Sequence, residues 1–106
     1  MTTDTIPITV ELAGGLELLF DNEKKLRINI PAKTEDGDAT NINYLVNYLC
    51  VHHMKDTRRE MFEVDGTVRA GILVLINDAD WELEGEGEYE LQPKDTILFV
   101  STLHGG

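Results

Sequence analysis

Residues Leu103-His104-Gly105-Gly106 are the part of this sequence best suited to covalent chemistry, because they end on an α-carboxylate carried by two glycines. Such a carboxylate, with a pKa of roughly 3.3–3.7, is ionised at neutral pH and is a poor electrophile. It becomes reactive once another enzyme activates it, most simply as a mixed anhydride with AMP. Glycine lacks a Cβ, so Gly105 and Gly106 can thread a narrow channel and leave the activated carbonyl open to attack. A thiolate, a persulfide or a lysine amine could then react there. Extended, Leu103 to Gly106 spans roughly 13 Å, at 3.3–3.6 Å per residue. That reach places the Gly106 carboxylate in another protein's active site while the body stays outside. Small terminal residues are common in fraying chains; the apolar strand just upstream strengthens the signal, since it gives the tail a fixed platform.

The other reactive side chains have plainer readings. Cys50 sits at the edge of an apolar helical stripe, where a half-buried structural thiol is expected over a nucleophile. His52 and His53 are adjacent, so on a helix they point about 100° apart and do not share one metal. They read as surface or rim histidines. Glu82, Glu84 and Glu86 read as a solvated strand face. No Gly-rich phosphate loop and no His-Glu-x-x-His motif occurs. The expectation is a carrier or tag, not an enzyme, with no bound cofactor and no metal.

Composition narrows the partners. The 106 residues form one domain, and 9 Lys+Arg against 20 Asp+Glu give a formal charge of −11. Such a chain repels nucleic acid and anionic lipid through its mean field, so basic protein surfaces are the expected partners. A single cysteine excludes an internal disulfide. The start Met1-Thr2-Thr3-Asp4-Thr5 has neither the basic opening nor the apolar run of a signal peptide. No apolar stretch approaches the ~20 residues that cross a bilayer. A monomer in the cytoplasm or nucleus is expected.

The elements that must position the tail follow from periodicity. Ile6, Ile8, Val10 and Leu12 alternate with polar residues, as do Leu26, Ile28 and Ile30, giving two one-sided strands. Gly14-Gly15 supplies a turn. Leu16 to Phe20 fits no clean period and is expected to complete a bulged hairpin. Pro31 stops the second strand. Ile42, Leu45, Val46, Leu49 and His53 recur at helical spacing, predicting a helix from Asn41 to Met54 capped by Thr40 or Asn41. Lys55 to Glu60 reads as a surface connection, with Met61-Phe62 returning to the core. Ile72 to Ile76 and Ile97 to Val100 are strands apolar on both faces, and the second is expected to lie centrally in the sheet. One face belongs under the helix. The other has no second helix to cover it, so Leu73, Leu75, Leu98 and Val100 are the candidate partner surface, without the sequence showing which set faces outward. Asn77 to Asp80 is expected to turn into a short strand at Trp81-Glu82-Leu83. The order β-β-α-β-β-β makes an α+β roll, a mixed sheet with one main crossover helix. Residues 1–102 are the expected globular domain and 103–106 a flexible tail.

The segments Gly71-Ile72-Leu73-Val74-Leu75-Ile76-Asn77-Asp78-Ala79-Asp80-Trp81-Glu82-Leu83, Tyr89-Glu90-Leu91 and Leu98-Phe99-Val100-Ser101-Thr102-Leu103-His104-Gly105-Gly106 closely resemble the eukaryotic ubiquitin-related modifiers of the dual sulfur-carrier type. Glu17-Leu18-Leu19-Phe20 is similar as well. Two positions depart from the pattern: Ala70 stands where the family usually has proline, and Gly87 is expected to loosen the acidic loop. The resemblance implies a ubiquitin-like β-grasp fold. It further implies that an E1-like activating enzyme with a rhodanese domain, using ATP and persulfide sulfur, adenylates Gly106 and converts it to a thiocarboxylate. The sulfur would pass, through a tRNA thiolase complex, to the wobble uridine of certain tRNAs. The same activated end would join lysines of target proteins, peroxiredoxins among them, under oxidative stress. Leu103, His104 and Gly105 would be read by the activating enzyme. Two rival readings are a sulfur carrier of molybdopterin or thiamin type and a ubiquitin-like interaction domain that is never conjugated.

Overall fold

Alternation of apolar and polar residues sets the first two strands, β1 (Thr5–Ala13) and β2 (Lys25–Pro31), in a computed structural model that describes residues 4–102. They pair antiparallel from Thr5 opposite Pro31 to Glu11 opposite Lys25. Ile8, Val10, Leu12, Ile28 and Ile30 turn inward and are buried. The expected bulged continuation between these strands is not formed. Leu16–Phe20 is instead a 3-10 helix, entered through Gly14 and Gly15 at φ 69° and 101°. The reason is burial: a strand would bring alternate residues inward, whereas a three-residue turn stacks Leu16 and Leu19 on one side. Leu16, Leu19 and Phe20 are thereby buried, and Leu18 is left outside.

The helix α1 (Ile42–His52) starts where the Asn41 side chain accepts from the Tyr44 amide at 2.9 Å. Of the two expected caps, Asn41 is used; the buried Thr40 hydroxyl donates back to the Pro31 carbonyl. Ile42, Leu45, Val46 and Leu49 bury the inner face of α1 completely. His53 lies just past the helix as its C-terminal cap. Of the expected Met61-Phe62 anchor only Phe62 is buried, edge-on to Phe20 and Phe99 at 5.5 and 5.1 Å between ring centroids, while Met61 faces outward.

A small hairpin, β3 (Glu63–Val64) and β4 (Thr67–Val68), is absent from the sequence reading. Its signal was present: Asp65-Gly66 is a favoured hairpin dipeptide, and both residues take positive φ. Then come β5 (Ile72–Ile76), β6 (Ala79–Asp80) and β7 (Thr96–Ser101). The main sheet runs β2-β1-β7-β5-β6, with β7 parallel to β1 and antiparallel to β5. Trp81–Leu83 is a 3-10 turn and not the expected strand. Asp80 caps it by accepting from the Glu82 amide at 2.9 Å, and that cap ends β6 after two residues.

Gly87 does the opposite of loosening the acidic loop. It is buried, and a Cβ there would fall 2.2 Å from Asn43 Oδ1. A side chain here would require the Asn43 amide to move aside, so glycine lets the loop lie against α1 undisturbed.

Candidate functional site

The last strand carries the site, and its neighbours hold it along its whole length. Between β1 and β5, β7 places Val100 opposite Ala13 on one side and opposite Leu73 on the other. Ser101 still pairs with Ile72. One residue later, Thr102 is tied to Gly71: its amide donates to the Gly71 carbonyl at 3.0 Å and its hydroxyl donates to the same oxygen. From the other side Gly14 closes on Ser101 so tightly that a Cβ would lie 2.3 Å from the Ser101 carbonyl oxygen. The chain is therefore fixed up to Thr102, the residue before the expected reactive segment. Leu103, His104, Gly105 and Gly106 themselves, and so the division at 102/103, lie outside the described residues.

The register resolves which apolar set faces outward. Ile72, Val74, Ile76, Ile97 and Phe99 are buried under α1. Leu73 stands opposite Val100 and Leu75 opposite Leu98, all four on the far side of the sheet. Leu73 is exposed and the other three are half-buried. All four candidate surface residues thus form one two-by-two patch, adjoining Ala13 and bounded at Glu11, which pairs with Lys25 at 3.7 Å.

The remaining candidates stand apart from this site. Cys50 is half-buried, and burial pushes its thiol up to about 11, against a smaller opposing pull from Arg59. It is a thiol at neutral pH, as a structural cysteine should be. His52 and His53 both lie against Tyr48, at 4.4 and 5.8 Å between ring centroids. Burial holds His53 below the usual histidine range, with the nearby His52 and Lys55 acting in the same direction. Among the described residues no three His, Cys, Asp or Glu side chains converge as a metal site would need. Glu82, Glu84 and Glu86 are exposed and not on a strand: Glu82 and Glu86 lie in short 3-10 turns and Glu84 caps the end of the first.

Asp95 is the residue that sequence reasoning missed. It is 5% exposed and accepts from Tyr89 Oη at 2.7 Å, Asn77 Nδ2 at 2.9 Å and the Gln92 amide at 2.9 Å. Asn77 Oδ1 in turn accepts from the Thr96 amide at 2.8 Å. This network binds the end of β5 and the end of the acidic loop to the first residue of β7. Burial, with the Asp95 hydrogen bond and charge adding to it, pushes the Tyr89 phenol up to about 12. The available signal was an acidic residue two positions before the apolar run Ile97 to Val100, after the turn at Pro93.

One helix laid on a mixed five-stranded sheet, with parallel first and last strands, defines a ubiquitin-like β-grasp protein. The solved structure of Urm1 from Trypanosoma brucei is similar over 99% of this chain and 100% of its own, with a TM-score of 0.76 and 40% identity. The family model of Urm1, the ubiquitin related modifier, matches residues 7–106, and the chain belongs to that family. Ubiquitin-related modifier 1 of Pyrenophora tritici-repentis is 61% identical, over 96% of this chain and 95% of the relative. That of Sclerotinia sclerotiorum is 58% identical over the whole of both.

Proposed function

We propose that this ubiquitin-like modifier works through the α-carboxylate of Gly106, as a sulfur carrier and protein tag and not as a catalyst. An E1-like enzyme with a rhodanese domain adenylates the carboxylate with ATP, releasing pyrophosphate. An enzyme persulfide displaces AMP to give an acyl disulfide, and a second thiol cleaves its S–S bond, leaving the thiocarboxylate and a disulfide. The sulfur goes to the wobble uridine of tRNA through a thiolase complex, or the activated end is joined to lysines of target proteins such as peroxiredoxins. The observation that carries this reading is the fixation of β7 through Thr102 by Gly71 and Gly14. A carrier needs a rigid body up to the root of its reactive segment, so that docking sets where the carboxylate arrives. The Leu73, Leu75, Leu98 and Val100 patch lies beside that root and suits recognition by the activating enzyme. Leu103, His104 and Gly105 thread the enzyme's entry channel and are recognised there in this reading. The protein acts as a monomer in the cytoplasm or nucleus and touches neither nucleic acid nor membrane by itself.

The test is incubation with activating enzyme, ATP and a sulfur donor, followed by intact-mass spectrometry. Replacement of one oxygen by sulfur at the last residue is expected, and it should vanish when Gly106 is deleted. Undiminished function of the chain with that carboxylate blocked as an amide would overturn the reading.

A further inference from the structure

Beside the root of residues 103–106, the β1–β2 connection and the segment following α1 enclose a cleft of about 260 Å³, whose walls include Gly15, Leu18, Arg58, Met61, Arg69 and Ser101. Two large apolar side chains stand open there, Leu18 at 66% and Met61 at 40% exposure. Leu18 is outside because the 3-10 turn sends Leu16, Leu19 and Phe20 inward. Met61 is outside because Phe62 takes the core position.

The two arginines of the cleft are not equivalent. Arg58 is committed to Asp56, donating from Nε at 2.9 Å and Nη2 at 2.8 Å to the two carboxylate oxygens. Among the described residues the Arg69 guanidinium donates only to Met61 Sδ, at 3.5 Å. A thioether is a weak acceptor, so most of the donor fork of Arg69 remains for a partner. Two acidic groups beside the cleft are already engaged, Asp56 with Arg58 and Glu17 with the Gly15 amide at 2.9 Å, and the exposed Glu60 acts on Arg58. A chain of charge −11 thus keeps a guanidinium with unclaimed donors between two open apolar side chains. Charge complementarity selects a carboxylate, whose two oxygens match that fork, next to an apolar side chain.

We propose that this cleft docks a segment of the activating enzyme that presents an Asp or Glu to Arg69 and an apolar side chain against Leu18 and Met61. The inference rests on the functional reading above, and position links the two. Ser101 forms part of the cleft wall, two residues before Leu103. Four extended residues reach roughly 13 Å, so an enzyme that takes Gly106 must press on the surfaces around this root. A second copy of the chain could offer the exposed Leu83 between Glu82 and Glu84, but two bodies each carrying −11 repel one another.

The experiment measures activating-enzyme-dependent ATP–pyrophosphate exchange with the full chain and with Arg69→Glu, Arg69→Lys and Leu18→Ala. For Arg69→Glu, KM for the chain should rise on the order of tenfold or more with kcat retained, because docking acts away from the reacting carbonyl. Arg69→Lys keeps the charge but loses the fork, and should fall between. Leu18→Ala, at a solvent-exposed position, should raise KM without lowering the melting temperature. It tests the cleft even if the charge reversal disturbs folding. In parallel, enzyme added to 15N-labelled chain should perturb the amides of Gly15, Leu18, Met61 and Arg69. Wild-type KM in both Arg69→Glu and Leu18→Ala would overturn the cleft and leave the functional reading standing. No exchange with wild-type chain would overturn the functional reading and this inference together. Self-association in sedimentation that Arg69→Glu abolishes would make a second copy the occupant and overturn the proposal.

Discussion

Replacing Gly14 by alanine tests the rigid root most directly, because Gly15 beside it provides an internal control. Both glycines have positive φ, 69° and 101°, so alanine at either meets the left-handed penalty of about 1–2 kcal/mol. Their surroundings differ. A Cβ on Gly15 meets nothing within 4 Å, whereas on Gly14 it would lie 2.3 Å from the Ser101 carbonyl oxygen and 2.9 Å from its amide nitrogen. Both obstacles are backbone atoms of β7, so relief requires moving the strand. Overpacking of that kind costs about 1–3 kcal/mol. Gly14→Ala should therefore lose about 2–5 kcal/mol in total and Gly15→Ala about 1–2 kcal/mol. In a domain of this size each kcal/mol shifts Tm by about 4–8 °C, and thermal melts followed by circular dichroism would resolve the difference. The displaced atoms belong to the residue before Thr102, so Gly14→Ala should also lower kcat/KM for activation of Gly106 beyond the loss in Gly15→Ala. Equal stability of the two variants, with equal activation, would refute the idea that Gly14 positions the strand end.

Three other outcomes are expected. Tyr89 is raised from 10.0 to about 12 in the fold, so the stability it lends is complete below pH 10 and is lost as pH climbs toward 12. Cys50, raised from 9.0 to about 11, acts the same way one unit lower. In urea titrations across this range, Tyr89→Phe should flatten the upper part of the alkaline decline and Cys50→Ser the lower part. Alkylation of Cys50 by iodoacetamide near neutral pH should be on the order of tenfold slower in the folded chain than in urea, after allowing for the higher nucleophilicity of a more basic thiolate; equal rates would contradict the burial argument. Leu73→Asp on the outer patch should change stability by less than about 1 kcal/mol yet raise KM for activation, measured by the same exchange assay.

Much of this protein was legible in its residue pattern. The alternation at Ile8, Val10 and Leu12 and at Ile28 and Ile30 named the buried faces of β1 and β2, and the stripe Ile42, Leu45, Val46, Leu49 named that of α1. These readings succeed because a strand or helix imposes its own period on whatever side chains it buries. Readings failed where chain direction depends on one or two residues, as at Leu16–Phe20 and Trp81–Leu83, since a 3-10 turn is too short to leave a period.

By itself, then, the sequence determined the α+β class, the inward faces of its longer elements and the identity of the residues offered for chemistry. The central place of the last strand was legible in its two apolar faces, but only the tertiary structure decided that β7 runs parallel to β1 and antiparallel to β5, in the register that puts Leu73, Leu75, Leu98 and Val100 on the open face. It also decided that Gly14 meets Ser101, that Gly71 holds Thr102 and that Asp95 ties the acidic loop to the strand. Those contacts join residues far apart in the chain, and no local propensity records them. They are chosen by the collective burial of one core, in which each strand's place depends on all the others.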